Sequence, residues 1–186
     1  MQVDCQAGVG LVGSVTGGGP STARGYHAAL ESSIADFFPG NHAINCMCHS
    51  TENLYQMRDT AVARASDDFY PREPASSAPH IAACAYNSLF IAPLCLPDWD
   101  MFQSEHPAAR LHACARAVSG AAIYVSDKVG RHDFAVLRQL VLRDGSTLRA
   151  ARPALPVADC VFADPLRDGQ TALKVRGAGL LALQAW

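Results

Sequence analysis

Residues 61–74 read AVARASDDFYPREP. The run from Thr60 to Ser66 is apolar and of strand length, without the three-to-four spacing of a helix. It stops at two adjacent acids, Asp67 and Asp68, followed by Phe69, Tyr70 and a loop holding Pro71 and Pro74. A strand that is apolar on both faces and ends in carboxylates reads as a buried parallel strand whose carboxyl end opens on a site.

The pattern recurs on both sides. Short apolar runs lie at residues 1–5, 42–48, 94–99 and 121–126, and helical stretches are predicted over 21–38, 80–90, 106–119 and 133–142. In the first of these helices Pro20 and Ser21 supply a start, and Pro39, Gly40 and Asn41 a stop. Between them Tyr26, Ala29, Leu30, Ile34 and Phe37 fall at helical spacing and predict the buried face. Strands alternating with helices describe an α/β fold, a parallel sheet covered by helices. Five such units suit an open doubly wound sheet or part of a closed barrel, and the count alone does not separate the two. From residue 143 onward the chain is rich in turn formers and short alternating runs, so 143–186 is expected to be a small β-rich domain after an α/β domain over 1–142.

Polar groups cluster just after the strands: Asp4, His49, Asp67 with Asp68, Asp98 with Asp100, and Asp127 with Lys128. The chemistry has to suit a chain of 186 residues with a net charge of -2, from 15 basic and 17 acidic residues in no long run of one sign. Such a balance offers no footprint for nucleic acid or an anionic membrane. The longest apolar stretch, residues 89–96, is interrupted by Pro93 and too short to span a bilayer. The first twenty residues carry no secretory pattern, and seven scattered cysteines in apolar segments read as reduced core residues. A cytoplasmic location is expected, or a plastid one if a leader precedes this segment.

Two acids beside aromatic residues, with Arg64 nearby, can place one carboxyl where burial raises its pKa toward use as a general acid. The alternative is an acid that caps the following loop. Asp4 alone reads equally as a turn residue; together with Asp67 it suggests two carboxylates from different strand ends facing one sugar, as glycoside chemistry requires. In LPDWDMF, residues 96–102, Trp99 between Asp98 and Asp100 reads either as a sugar-stacking platform with hydrogen-bonding acids or as core with capping acids. CMCH, residues 46–49, lacks a second Cys/His cluster at zinc spacing, and the glycine-rich stretch 7–20 has neither GK[ST] nor GxGxxG, so no metal or cofactor is expected. Cys84, Cys95 and Cys114 lie in apolar segments without a nucleophile's context.

The strings RASDDFYPREPAS, AYNSLF, PDWDMF, HPAARLHACARAVSG, IYVSDK and LVLRDGSTLRA, with QVDCQ at the start, resemble in content and order the plant raffinose synthase and seed imbibition family within glycoside hydrolase family 36. The resemblance implies a (β/α)8 TIM barrel followed by a β-sandwich, acting with retention on α-galactosides such as raffinose and galactinol, with sucrose or water as acceptor. It implies that the chain begins at barrel strand four and covers about strands 4 to 8. Asp4 then matches the nucleophile and Asp67 the acid/base, with Asp68 the alternative. Arg64, Asp68, Asp98, Trp99, Asp100 and Asp127 are the candidate sugar-binding residues. The segment 64–90 is more similar to the alkaline α-galactosidase branch than to raffinose synthases, and Gln2 stands where the family carries a lysine. Two competing expectations are a catalytically inert fragment with half a barrel and a sugar-binding remnant built on Trp99.

Overall fold

A computed structural model describes residues 1–178 and 180–183 of the chain. The chain divides into two compact units, Met1–Arg64 with Leu94–Leu96, and Ala65–Pro93 with Pro97–Trp186.

In the first unit β1 (Gln2–Val3) is followed by the short α1 (Val9–Val12), the long α2 (Gly19–Phe37), β2 (Ile44–Asn45), the single-turn α3 (Thr51–Leu54) and β3 (Val62–Arg64). The strands are parallel, with Gln2 opposite Ile44, Val3 opposite Asn45, and Asn45 opposite Ala63. Pro20 sits in the first turn of α2, where a missing N–H costs nothing, and the helix ends at the residues before Pro39, where the α region is disfavoured.

The buried face of α2 is Ala23, His27, Glu31 and Ile34, so of the five residues predicted for that face only Ile34 is buried; Phe37 is 75% exposed. The reason is a polar network. His27 Nε2 pairs with Asn53 Oδ1 at 2.8 Å, and Asn53 Nδ2 donates to the Gln6 carbonyl at 3.0 Å. Gln6 Nε2 donates to Asn45 Oδ1 at 2.9 Å, Asn45 Nδ2 to Thr60 Oγ1 at 3.0 Å, and Thr60 Oγ1 to Glu31 Oε1 at 2.9 Å. Every member is buried. Such a chain ties α2 to the ends of β1 and β2 and to the entry of β3, because each partner satisfies the next. Glu31 Oε1 also accepts the N–H groups of Arg58, Asp59 and Thr60 at 2.9, 3.2 and 3.1 Å. Burial works to raise the Glu31 pKa, and these hydrogen bonds together outweigh it and hold the carboxyl below its ordinary value.

β4 (Leu96–Asp98) completes a four-stranded sheet in the order β1-β2-β3-β4. Within the second unit α4 (Ser77–Ile91) precedes this strand, and α5 (Ala109–Ser119) and the one-turn α6 (Phe134–Leu137) follow it. The run predicted as a strand over 121–126 contributes a single parallel bridge, Val125 to Phe102. Its apolar side chains go elsewhere: Ile123 and Val125 pack on the cluster of Phe102, Ala109, Ala113, Val136 and Leu140. Asp133 caps α6 by accepting from the N–H groups of Ala135 and Val136 at 2.8 and 3.3 Å. The helix predicted to reach residue 142 is shortened, because Leu142 N already donates to Ser146 O at 2.8 Å across a turn with Gly145 at φ +87°. Beyond it β5 (Thr147–Ala150) pairs antiparallel with β8 (Leu180–Leu183), and β6 (Leu155–Pro156) with β7 (Val175–Arg176). These short ladders lie in the β-rich stretch expected after residue 142, inside the second compact unit.

Candidate active site

Three residues other than glycine adopt positive φ: Cys5 at +56°, Met47 at +47° and Asp100 at +66°. Each stands two residues beyond the last residue of a strand, β1, β2 and β4 respectively. A left-handed residue with a side chain costs energy and concentrates where the surrounding structure imposes it. Here it turns the backbone sharply at the carboxyl end of a parallel strand.

In the first unit Asp4 follows β1 and is exposed. Its Oδ1 accepts the Cys5 N–H at 2.6 Å, within the left-handed turn. The Cys46 thiol, just past β2, hydrogen-bonds to the Asp4 carboxylate; burial pushes this thiol up to about 11, opposed by Arg64 and reinforced by Asp4. Arg64 is buried and donates from Nη2 to Gln2 Oε1 at 3.2 Å, so the guanidinium meets the side chain that replaces the family's lysine. The His49 ring meets the Arg64 carbonyl at 2.6 Å, and burial raises Cys48 to about 12, so CMCH is used by the fold. Among the described residues no group of three His, Cys, Asp or Glu side chains is arranged to hold a metal.

In the second unit Asp67 and Asp68 are exposed at the tip of a loop whose two ends are fastened. At one end Ala65 N donates to the Asp98 carbonyl at 2.8 Å, and Asn87 Nδ2 donates to the Ala65 carbonyl at 2.7 Å. At the other, Phe69 N donates to Asp100 Oδ2 at 2.7 Å. Phe69 is buried among imidazoles, with its ring centroid 4.9 Å from His112, 5.4 Å from His106 and 6.4 Å from His80, all edge-on.

Asp98, Trp99 and Asp100 are buried. Trp99, 1% exposed, donates from Nε1 to Ser88 Oγ at 3.1 Å, so its ring lies in the core with its polar atom satisfied. Asp98 Oδ2 accepts from Tyr124 Oη at 2.8 Å and from the Asp100 N–H at 3.3 Å. The Asp127 side chain, 2% exposed, accepts from Ser104 N and Ser104 Oγ at 2.7 Å each and meets His132 Nδ1 at 3.1 Å. Burial would raise its pKa; Ser104 and His132 outweigh that and hold it below the ordinary carboxylate value.

Two residues absent from the candidates prove central. Arg116, fully buried, donates from Nε to the Asp100 carbonyl at 3.1 Å, from Nη2 to the Met101 carbonyl at 3.0 Å, and from Nη1 to His112 Nδ1 at 2.7 Å. His112 is driven down to about 3 by burial first, then by Arg116, His80 and His106, so its ring is neutral and accepts at Nδ1. The signal was present in HPAARLHACARAVSG: Ala109, His112, Ala113 and Arg116 lie on one helical face, and two polar residues on an apolar stripe mark a buried network.

Comparison with known proteins agrees with the strings quoted above. The family described as raffinose synthase or seed imbibition protein Sip1 matches residues 1–178. A probable galactinol–sucrose galactosyltransferase 1 of Arabidopsis thaliana is 55% identical over 175 residues, covering 94% of this chain and 23% of that protein. A galactinol–sucrose galactosyltransferase of Oryza sativa subsp. japonica is 46% identical, covering 86% of this chain and 22% of its own length. A stachyose synthase of Pisum sativum is 38% identical, covering 86% and 20%. The chain thus spans less than a quarter of the length of the curated relatives it matches. With the family match running almost from end to end, this chain belongs to the raffinose synthase or seed imbibition protein family.

Proposed function

We propose that this chain carries the two catalytic carboxylates of a retaining α-galactosyl transfer on raffinose-family oligosaccharides. In this reading β1 to β4 and the Phe102–Val125 pairing are consecutive strands of a (β/α)8 barrel, and residues 143–186 open a β-rich domain. The observation that carries the proposal is the placement of Asp4 and Asp67. Both are exposed and both follow parallel strands, β1 and β3, at their carboxyl ends. The names of the relatives, galactosyltransferases and a stachyose synthase, support the same substrate class.

Asp4 attacks the anomeric carbon of the galactosyl donor as the glycosidic C–O bond breaks, and Asp67 gives its proton to the leaving oxygen. In the second half Asp67 takes a proton from the acceptor hydroxyl, whose oxygen attacks the same carbon and releases Asp4. Galactinol or raffinose is the donor; sucrose as acceptor gives transfer, and water gives hydrolysis. No metal or cofactor enters these steps. The free cysteines suit a reducing compartment such as the cytoplasm.

The test is Asp4→Asn in the complete coding sequence, assayed with galactinol and sucrose and with raffinose alone. Turnover is expected to disappear while donor binding by calorimetry persists. Turnover retained by the variant would sink the assignment of Asp4.

A further inference from the structure

We infer that Asp100, clamped by Arg116, is a positioning residue that aims the Asp67–Asp68 loop for proton transfer, an inference that rests on the reading of Asp67 given above. Three observations carry it. First, the Asp100 carboxylate joins two loops: Oδ2 accepts the Phe69 N–H at 2.7 Å and Oδ1 the Met101 N–H at 2.7 Å. Phe69 is the first fixed residue after the two exposed acids, and Ala65, bonded to Asp98 and Asn87, is fixed before them. The acids therefore sit in a short span between two anchors, and the second anchor is Asp100.

Second, Asp100 is held in a conformation it would not adopt freely. Its φ is +66°, and a non-glycine residue there persists only where its neighbours impose it. The neighbour that does so is Arg116, whose planar fork takes the carbonyls of Asp100 and Met101 together, at 3.1 and 3.0 Å. A third donor, Nη1, is taken by neutral His112, whose ring packs on Phe69, so the same guanidinium braces the loop from its far side.

Third, this arrangement is an expensive way to make a core. Burying a guanidinium and two carboxylates together is no more stable than packing apolar residues of similar volume, so its physical return is a specified geometry. Proton transfer requires that geometry, because a general acid displaced by about 1 Å loses roughly a hundredfold in rate.

The readout that separates positioning from mere stability is the dependence on leaving group. Asp100→Asn keeps size and one acceptor oxygen but leaves Phe69 N or Met101 N facing an amide NH2. A misaimed Asp67 slows substrates that need protonation and spares those that do not. With Asp100→Asn in the complete coding sequence, turnover of raffinose is expected to fall about a hundredfold. Turnover of 2,4-dinitrophenyl α-galactoside, whose leaving group departs unprotonated, should change little. Equal losses on both substrates, or no loss on either, would overturn the inference. Amide hydrogen exchange on the 186-residue chain supplies a readout that needs no activity. The Phe69 N–H is expected to be protected in the wild type and to exchange faster in the variant. Should the wild type turn over neither substrate, the galactosyl-transfer reading fails and the exchange result alone decides the anchor. An unprotected Phe69 N–H in the wild type would overturn the anchor even if the variant does not fold.

Discussion

Replacing Glu31 by Gln tests whether the polar side of α2 holds the first unit together. Four donors converge on one Glu31 oxygen, three backbone N–H groups and the Thr60 hydroxyl, at 2.9 to 3.2 Å. Hydrogen bonds to a charged acceptor contribute about 1.5–3 kcal/mol each, against about 0.5–1.5 kcal/mol for neutral partners. Glutamine keeps an oxygen in place, so only the charge-dependent part is lost. Because the four donors share one atom, the differences do not sum, and a loss of about 2 kcal/mol is expected at pH 7. The assay is equilibrium urea denaturation of the 186-residue chain, followed by far-UV circular dichroism across a pH series.

The direction with pH follows from the lowered pKa. The folded value lies below the ordinary 4.5, so the ionised carboxylate stabilises fully above that value and loses its contribution as pH falls through the folded pKa. The gap between wild type and variant should therefore be widest near neutrality and close on acidification. A variant as stable as the wild type at pH 7, or a gap of equal size at pH 3, would show that the charge on Glu31 does not organise this unit.

Two further outcomes test the second unit. Gly120→Ala should cost about 1–3 kcal/mol in the same denaturation assay, because φ is +78° and the added Cβ would lie 2.7 Å from the Arg152 carbonyl oxygen. Gly130→Ala, at φ +77° with open space around the Cβ, should cost only the conformational part, about 1–2 kcal/mol. Equal losses at the two sites would mean that the contact with Arg152 is relieved. The His112 ring protons should show no titration by NMR above about pH 4, since its pKa is lowered to about 3. The unfolded chain takes up that proton near 6.5 and the folded chain does not, so His112 also makes stability fall as pH drops from 6.5 toward 3. A ring that titrates near 6.5 in the folded protein would contradict its enclosure by Phe69 and Arg116.

The alternation of strands and helices was legible because apolar runs of two lengths carry it: β1 to β4 each fall inside a run picked out by composition, and α2, α4 and α5 inside stretches of helical spacing. The buried face of α2 was not legible. Apolar spacing selected Tyr26, Ala29, Leu30 and Phe37, whereas burial follows His27 and Glu31, whose partners Asn53 and Thr60 are distant in sequence. The one-turn α3 is too short to leave a periodic signal. At the candidate site, Asp4 and Asp67 were visible as acids that follow strands. The side-chain environments of Trp99 and Asp127 were not, because Ser88, Ser104 and His132 complete them through tertiary contacts that spacing does not encode. Arg116 went unremarked although it lay on a helical stripe with Ala109 and Ala113, where a charge requires an explanation.

The left-handed residues Cys5, Met47 and Asp100 have a consequence for how this protein can change over time. Glycine would fit all three turns without the roughly 1–2 kcal/mol that a β-carbon costs there. The cheapest improvement in stability is therefore within one substitution of the native sequence at each strand end, and it runs through the loss of a thiol, a thioether or a carboxylate. A lineage released from whatever these side chains do should drift toward glycine at positions 5, 47 and 100. One that keeps them at a standing thermodynamic disadvantage is being held there by the demands on the strand ends rather than by folding.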